Sequence, residues 1–182
     1  MSFSEGFRSF LRIHSQNTRI ELTCIVSDVI RRWTNYQDQL LKVDRALLPT
    51  AIEEVLRYRS PLQTVFRTTK REVELHSQRI PAGKLALPLI GSANRDAKHF
   101  EDPDRFDITR DPNSHLAFGY GLHFCIGAPL ARLEARIGLG DLLERLEEVE
   151  LTSDEPWTPR RAFNVLGPCH LPIRFKGLAA RR

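Results

Sequence analysis

One cysteine lies in a glycine-rich loop over residues 118–127, where its sulfur could act as a metal ligand. Gly119, Gly121 and Gly127 allow backbone conformations with positive φ and let the main chain approach a flat ligand closely. Cys125 lies just before a predicted helix start, where backbone N–H groups and the positive end of the helix dipole favour a thiolate. A thiolate beside an aromatic side chain suits the axial position of a haem iron. The alternative is a buried, inert cysteine.

Two predicted helices must position this loop. The first, over residues 128–146, follows the cysteine directly; Pro129 suits its first turn, and apolar residues recur beyond it at helical spacing. The second covers residues 47–59, where apolar residues again recur every three or four positions until Ser60-Pro61 ends the pattern. Both helices are long and regular enough to be predicted from spacing alone.

The remaining segments are shorter or less regular. Residues 62–90 are rich in β-branched and alternating residues and predict short strands, as do residues 149–176. Residues 91–117 form a proline-punctuated run without periodicity, which in a compact domain indicates a functional or pinned segment. Residues 1–46 are interpreted as remnant helices, of which the clearest has its apolar positions between Ile20 and Trp33.

Composition limits the class of protein. The 182 residues are 41% hydrophobic, which is enough for one core. Because no apolar run reaches the length of a membrane span and no signal-peptide pattern is present, we expect a cytoplasmic protein with no membrane partner. Cys24, Cys125 and Cys169 form no CxxC pair, which argues against disulfides or zinc. The mild formal charge of +4 could attract an acidic redox partner, and no nucleic-acid-binding module is recognisable.

The cysteine loop and the helix after it carry a specific resemblance. The pattern FxxGxxxCxG over residues 118–127 resembles the haem-binding signature of the cytochrome P450 family. The sequence APLARLEA over residues 128–135 is similar to the proximal helix of its bacterial and archaeal soluble members. The resemblance extends over about residues 21–176 and covers only the C-terminal part of the family fold. It implies a mainly α structure with small antiparallel β-sheets, an α+β arrangement.

The resemblance implies a site for haem b (iron protoporphyrin IX). Cys125 would be the axial ligand of the iron, and Phe118 would pack beside its sulfur. His123 and Arg67 match positions that bond the haem propionates, and a guanidinium fits a carboxylate by paired hydrogen bonds. Further haem contacts are expected from Gly119, Gly127 and Ala131. Imidazole also ligates haem iron in other folds, but the loop pattern is built around the cysteine rather than around His123.

Glu54 and Arg57 are three residues apart in the predicted helix and therefore share one face. On spacing alone they would be a surface ion pair of little energetic consequence. The resemblance implies instead a buried structural triad, which Arg105 completes from the otherwise irregular segment 91–117. Because buried charges are costly without their partners, this triad is assigned to folding and haem loading rather than to chemistry.

The substrate and oxygen sides of the implied haem site are less well defined. Thr64 and Val65, with Gln63 before them, would border the substrate, as would Val165 or Leu166 near the C-terminus. The family carries an acid–threonine pair that delivers protons to oxygen, and this sequence shows no such motif. The nearest candidate is Thr18, for which the alternative role is an ordinary helix cap.

The implied function is a haem-thiolate monooxygenase that inserts one oxygen atom from O2 into a small organic substrate. A ferredoxin or flavodoxin-type donor would supply electrons, docking beside Arg132 and Arg136 on the proximal face. The chain is expected to be truncated or split, so that its activity needs a missing N-terminal half. The alternatives are a haem-binding fragment without catalysis and a degenerate relative that only binds a partner.

Overall fold

The computed structural model describes residues 41, 43–151, 163–167 and 173–178. In chain order its elements are a 3-10 turn (Arg45–Leu47), α1 (Leu48–Tyr58), β1 (Arg67–Thr68), β2 (Val73–Leu75), β3 (Gln78–Ile80), β4 (Leu85–Ala86), α2 (Ile90–Ala93), a second 3-10 turn (Gly121–His123), α3 (Ala128–Arg145), β5 (Leu146–Leu151) and β6 (Ile173–Leu178). Thr18 and the helical pattern between Ile20 and Trp33 lie outside the described residues. Across the described ranges, no helix is both long enough and apolar enough to cross a membrane.

Helix α1 forms one side of the core. Asp44 accepts a hydrogen bond from the Ala46 N–H at 2.9 Å and so organises the turn before the helix, and Pro49 occupies its first turn. Ser60-Pro61 follow the end of the helix, as the sequence predicts. The apolar residues of α1 recur every three or four positions and form its buried face: Leu48, Ala51, Ile52, Val55 and Leu56.

Helix α3 packs against this face. Its buried apolar positions begin with alanines and continue with leucines: Ala128, Ala131, Ala135, Leu139, Leu142 and Leu143. These side chains join the buried face of α1, Ile108 and Phe118 in one core cluster, and Cys125 packs at its edge. Helix α3 ends at Arg145 because Leu146 is already extended, with φ −101° and ψ 124°.

The apolar stripe of Leu130, Leu133 and Ile137 lies on the other side of α3, where each side chain is about half exposed, at 56%, 50% and 52%. Helix α3 is therefore apolar on more than its core-facing side. Charged residues such as Arg132 and Arg136 also lie on α3, so the helix is not apolar all round. An exposed apolar stripe of this kind is typical of a contact surface.

Two-stranded antiparallel sheets complete the described structure. In them β1 pairs with β4 and β5 pairs with β6. Strands β2 and β3 form a hairpin. Its two turn residues, His76 and Ser77, have φ values of 47° and 63°, the left-handed conformations that a tight two-residue hairpin requires. Within the predicted strand region 62–90, the alternation over residues 72–75 indicates β2, whereas residues 78–80 show no such pattern, so the pairing of β2 with β3 was not predicted.

The segment 163–167 returns to the start of the strand region. Its backbone pairs with residues 61–63 through two hydrogen bonds of 2.8 Å, and Val165 lies opposite Leu62. The two segments expected to border the substrate are therefore neighbours, although they are about a hundred residues apart in sequence.

Candidate functional site

The cysteine loop is fixed by its own backbone. The Cys125 N–H donates to the Phe118 carbonyl at 2.9 Å. This hydrogen bond closes the loop, because Phe118 directly precedes Gly119. Gly119 and Gly121 have φ values of 76° and 73°, conformations that favour glycine. Gly127 has a φ of −82°, so the expectation of a positive φ is wrong at that position. A Cβ at Gly127 would meet the Cys125 sulfur at an ordinary contact distance of 3.8 Å.

Cys125 lines a pocket of about 340 Å³ bounded by the cysteine loop, the end of α1 and the strand region. Most of the lining is apolar and includes Leu56, Leu62, Val65, Ile90 and Phe118. Two basic side chains, Arg67 and His123, also line it. The pocket therefore combines one sulfur, two basic groups and mainly apolar walls. Such a pocket suits a large apolar ligand that carries a metal, which the sulfur can bind, and anionic groups, which the basic side chains can bind.

The residues expected to contact haem fall into two groups. Cys125, Phe118, Gly119, His123 and Arg67 line the pocket together. His123 lies at the end of the second 3-10 turn, and Arg67 lies on β1 with its Nη1 donating to the Phe66 carbonyl at 2.8 Å. Gly127 and Ala131 are not part of the pocket lining. A Cβ at Gly127 would lie 3.8 Å from the Cys125 sulfur, and Ala131 belongs to the core cluster formed by α1 and α3.

Of the expected substrate-side residues, Val65 lines the pocket. The Thr64 hydroxyl is already bonded, because it donates to the Pro88 carbonyl at 2.9 Å, and Pro88 itself lines the pocket. Val165 pairs with Leu62, another lining residue, without being part of the lining itself. Thr64 and Val165 therefore support the pocket wall from behind. Thr18 lies outside the described residues.

Glu54 and Arg57 form a fully buried ion pair, with both side chains at 0% exposure. Two nearly parallel hydrogen bonds of 2.7 and 2.8 Å join the guanidinium to the carboxylate. The remaining donors of Arg57 reach the carbonyls of Asn94, Pro103 and Arg105 at 2.8 to 3.0 Å. One side chain thereby anchors three points of the irregular segment that leads to the cysteine loop.

The second arginine beside Glu54 is Arg110, not the predicted Arg105. The Arg110 Nε is 3.3 Å from the Glu54 Oε2, and the Arg110 side chain is only 12% exposed. Its other nitrogens donate to backbone carbonyls of the same segment. The Arg105 side chain is 64% exposed and lies 3.7 Å from Asp107. The prediction of Arg105 as the third buried member is therefore wrong, because the chain turns its backbone carbonyl inward and its side chain outward.

Glu53, the residue before Glu54, organises a second polar network that was not predicted from the sequence. Its carboxylate accepts two hydrogen bonds of 2.7 Å from Arg132 on α3. The Nε2 of His115, whose side chain is 3% exposed, lies 3.0 Å from the same carboxylate. Arg132 is therefore used inside the protein, and of the two arginines assigned to the proximal face only Arg136 is an exposed cation without a described ion pair.

The pKa of Glu53 reports the strength of this network. Burial alone would raise it, but hydrogen bonds from Arg132 and His115 and their attraction outweigh burial and lower the pKa from 4.5 to about 2. A carboxyl with a lowered pKa stabilises the folded state above its unfolded pKa. This stabilisation is lost as the pH falls from about 4.5 towards about 2. Since the side chain is 28% exposed, solvent screening reduces the contribution to about 1–2 kcal/mol.

We therefore expect Glu53→Gln to lower the free energy of unfolding by about 1–2 kcal/mol at neutral pH. Because the carboxyl of the unmodified protein also becomes neutral in acid, the difference between the two proteins should shrink as the pH falls below about 4.5. Urea denaturation at several pH values measures this difference. Glu72→Gln removes an exposed partner 4.0 Å from Arg79 and is the matched control. A difference that stays constant in acid would contradict the expectation.

Comparison with known proteins agrees with this geometry. The chain matches the sequence profile of the family described as Cytochrome P450 over residues 29–168. Cytochrome P450 107B1 from Saccharopolyspora erythraea is 51% identical over 142 residues, which make up 75% of this chain and 35% of that protein. Cytochrome P450 monooxygenase PikC from Streptomyces venezuelae is 40% identical over 177 residues, or 94% of this chain and 41% of that protein. The structure of cytochrome P450 CYP109Q5 from Chondromyces apiculatus superposes with a TM-score of 0.81 at 45% identity, covering 89% of this chain and 42% of that one.

The chain belongs to the cytochrome P450 family, and the comparisons confirm both the family and the α+β fold class expected from the sequence. It spans between 35% and 42% of the length of these relatives. Members of the family are monooxygenases, and the family implies a haem cofactor. Bacterial members generally act on small organic substrates and receive electrons from ferredoxin-type donors.

The residues present fit a haem. The pocket offers one sulfur for the iron, two basic groups for the propionates and apolar walls for the ring. Gly119, whose φ of 76° favours glycine, lines the pocket beside Cys125 and presents main chain there without a side chain. Among the residues that the structure describes, none that lines the pocket carries a carboxylate, a group that would repel the anionic propionates.

Proposed function

We propose that this chain forms the haem-binding part of a haem-thiolate monooxygenase that inserts one oxygen atom from O2 into a small organic substrate. The observation that carries this proposal is the pocket itself, where Cys125 meets apolar walls and the two basic side chains Arg67 and His123. A haem b held there by the Cys125 thiolate would supply the oxygen chemistry: the thiolate would favour cleavage of the O–O bond, and two electrons and two protons would balance the formation of water from the second oxygen atom.

Each residue of the pocket has a role in this proposal. Cys125 supplies the axial sulfur, and Phe118, which is 8% exposed, shields that sulfur from water. Arg67 and His123 bind the two propionates and set the orientation of the ring. Val65 borders the substrate, while Thr64 and Val165 support the wall beside it. The Glu54–Arg57 pair fixes the irregular segment so that the cysteine loop keeps its position.

Turnover, in this proposal, needs the remainder of the relatives' fold, supplied as an N-terminal half. Among the residues that the structure describes, none lining the pocket forms an acid–threonine pair for proton delivery. The half-exposed stripe of Leu130, Leu133 and Ile137 on α3 also supports the need for a further part of the fold, because an exposed apolar stripe is typical of a contact surface. A ferredoxin or flavodoxin-type protein is the proposed electron donor. The same observations favour a second candidate, a haem-binding fragment that does not turn over alone.

Haem titration of the full chain, followed by absorbance, tests the assignment of the pocket. We expect Arg67→Gln and His123→Gln each to weaken haem binding about tenfold, because each removes one charge-assisted contact to a propionate of about 1.4 kcal/mol. Arg71→Gln, an exposed arginine in the same strand region that does not line the pocket, is the matched control. Equal affinities for all three variants and the unmodified chain would contradict the propionate assignment.

A further inference from the structure

Arg132 is placed between a carboxylate and the residue that shields the cysteine. Its Nε and Nη2 donate to the two oxygens of Glu53 at 2.7 Å each. On the other side, its guanidinium carbon lies 4.6 Å from the centre of the Phe118 ring, within cation–π distance. The backbone carbonyl of Phe118 in turn accepts a hydrogen bond from the Cys125 N–H at 2.9 Å. A single positive charge is thus held behind the aromatic ring that packs in the cysteine loop.

The position of this charge is fixed by a third residue. The Nδ1 of His115 accepts the Ala117 N–H at 3.2 Å, so the ring proton lies on Nε2, which donates to Glu53 at 3.0 Å. His115 therefore helps to orient the carboxylate that holds Arg132. Because His115 lies three residues before Phe118, the same chain segment carries both the orienting imidazole and the ring beneath the guanidinium.

Electrostatics supports a link between Arg132 and the cysteine. The pKa of Arg132 is raised, first by its hydrogen bond to Glu53 and to a smaller extent by attraction to Cys125. Arg132 is also the cation that lies against the Phe118 ring of the cysteine loop. Its side chain is 33% exposed, which leaves its field only partly screened.

We propose that Arg132 is a positioning residue for the haem-thiolate centre, whose guanidinium, held by Glu53 behind Phe118, moderates electron donation from Cys125 and so sets the reduction potential of the iron. This inference rests on the proposed function. Reduction adds a negative charge to the centre, and a nearby cation stabilises that charge. Arg132 therefore raises the reduction potential of the iron. The Glu53 carboxylate, which partly neutralises the charge of Arg132, lowers that potential.

The test is spectroelectrochemical titration of the haem-loaded full chain. Arg132→Gln is expected to shift the reduction equilibrium about tenfold towards the oxidised form, which is about 59 mV for one electron. Glu53→Gln should shift it in the opposite direction, and Arg132→Lys, which keeps the charge but loses the paired bonds, should lie between Arg132→Gln and the unmodified chain. Arg136→Gln, one turn further along α3 and exposed, makes the same change in net charge and should leave the potential nearly unchanged.

Unfolding free energies measured in parallel separate this role from a merely structural one. Both Arg132→Gln and Glu53→Gln remove the ion pair between α1 and α3, so both should lower the free energy of unfolding. Only an electrostatic role of Arg132 shifts the reduction potentials of the two variants in opposite directions. A thiolate-ligated haem whose potential is the same in all variants, or moves in one direction in both, would overturn the inference and leave the proposed function intact. Absence of thiolate-ligated haem in the unmodified chain would overturn both.

Discussion

Replacing Arg57 with methionine is expected to lower the free energy of unfolding by about 3–5 kcal/mol. The substitution leaves the Glu54 carboxylate in a site with 0% exposure and removes its paired hydrogen bonds. The backbone carbonyls of Asn94, Pro103 and Arg105 also lose the hydrogen bonds that Arg57 donates to them. Since domains are stable by only about 5–15 kcal/mol, a loss of this size should also reduce the amount of folded, haem-loaded protein.

Urea denaturation of the unmodified chain and of Arg57→Met measures the effect. Arg79→Met is the matched control, because Arg79 is 76% exposed and lies 4.0 Å from an exposed Glu72, so its loss should cost less than about 1 kcal/mol. Where Arg57→Met does not accumulate as folded protein, Arg57→Lys keeps the charge and should give a measurable intermediate loss. An Arg57 variant as stable as the Arg79 variant would refute the buried role of the pair.

Arg110→Ala is expected to cost about 2–4 kcal/mol, while Arg105→Ala should cost less than about 0.5 kcal/mol. Arg110 contributes a second cation at Glu54 and several hydrogen bonds to the backbone of its own segment. The interaction of Arg105 with Arg57 uses the Arg105 carbonyl, which alanine retains. The exposed Arg105 guanidinium contributes only its contact at 3.7 Å to Asp107.

The pair of variants decides which arginine completes the buried cluster, since both substitutions remove one positive charge from the same segment. Chemical denaturation gives the stability of each, and haem content on purification shows the consequence for haem loading. A larger loss in Arg105→Ala than in Arg110→Ala would contradict the arrangement described above and favour the resemblance-based expectation instead.

The sequence predicted the parts of the structure that depend on local spacing. Ser60-Pro61 end α1, and Pro129 marks the first turn of α3, because proline restricts the backbone at these positions whatever surrounds it. The cysteine loop is equally local: the positive φ values of Gly119 and Gly121 follow from the glycine pattern around Cys125.

The choice between Arg105 and Arg110 could not be predicted in the same way. Both lie in a segment without periodicity, where nothing in the local sequence says which side chain points inward. The hairpin partner β3 was missed for a related reason, because His76 and Ser77 adopt left-handed conformations without the Asn-Gly type of signal that usually marks such turns.

The Glu53 network depends on contacts that are distant in sequence. Glu53 and Glu54 are neighbours in the chain, but successive residues of a helix point about 100° apart, so one meets α3 and the other meets the irregular segment. Glu53 is 79 residues from Arg132 and 62 from His115. A run of two glutamates carries no signal of partners so far away; only the packing of α1 against α3 brings the three side chains together.

The central claim is that Cys125 is the axial ligand of a haem bound in this pocket. The absorption spectrum of the haem-loaded chain, reduced and exposed to carbon monoxide, tests it most directly beside the spectrum of Cys125→Ala. We predict a strongly red-shifted Soret band that persists in Cys24→Ala and Cys169→Ala and is lost in Cys125→Ala, because only a thiolate ligand donates enough electron density to produce it. A histidine-type spectrum that Cys125→Ala leaves unchanged and His123→Ala abolishes would contradict the claim.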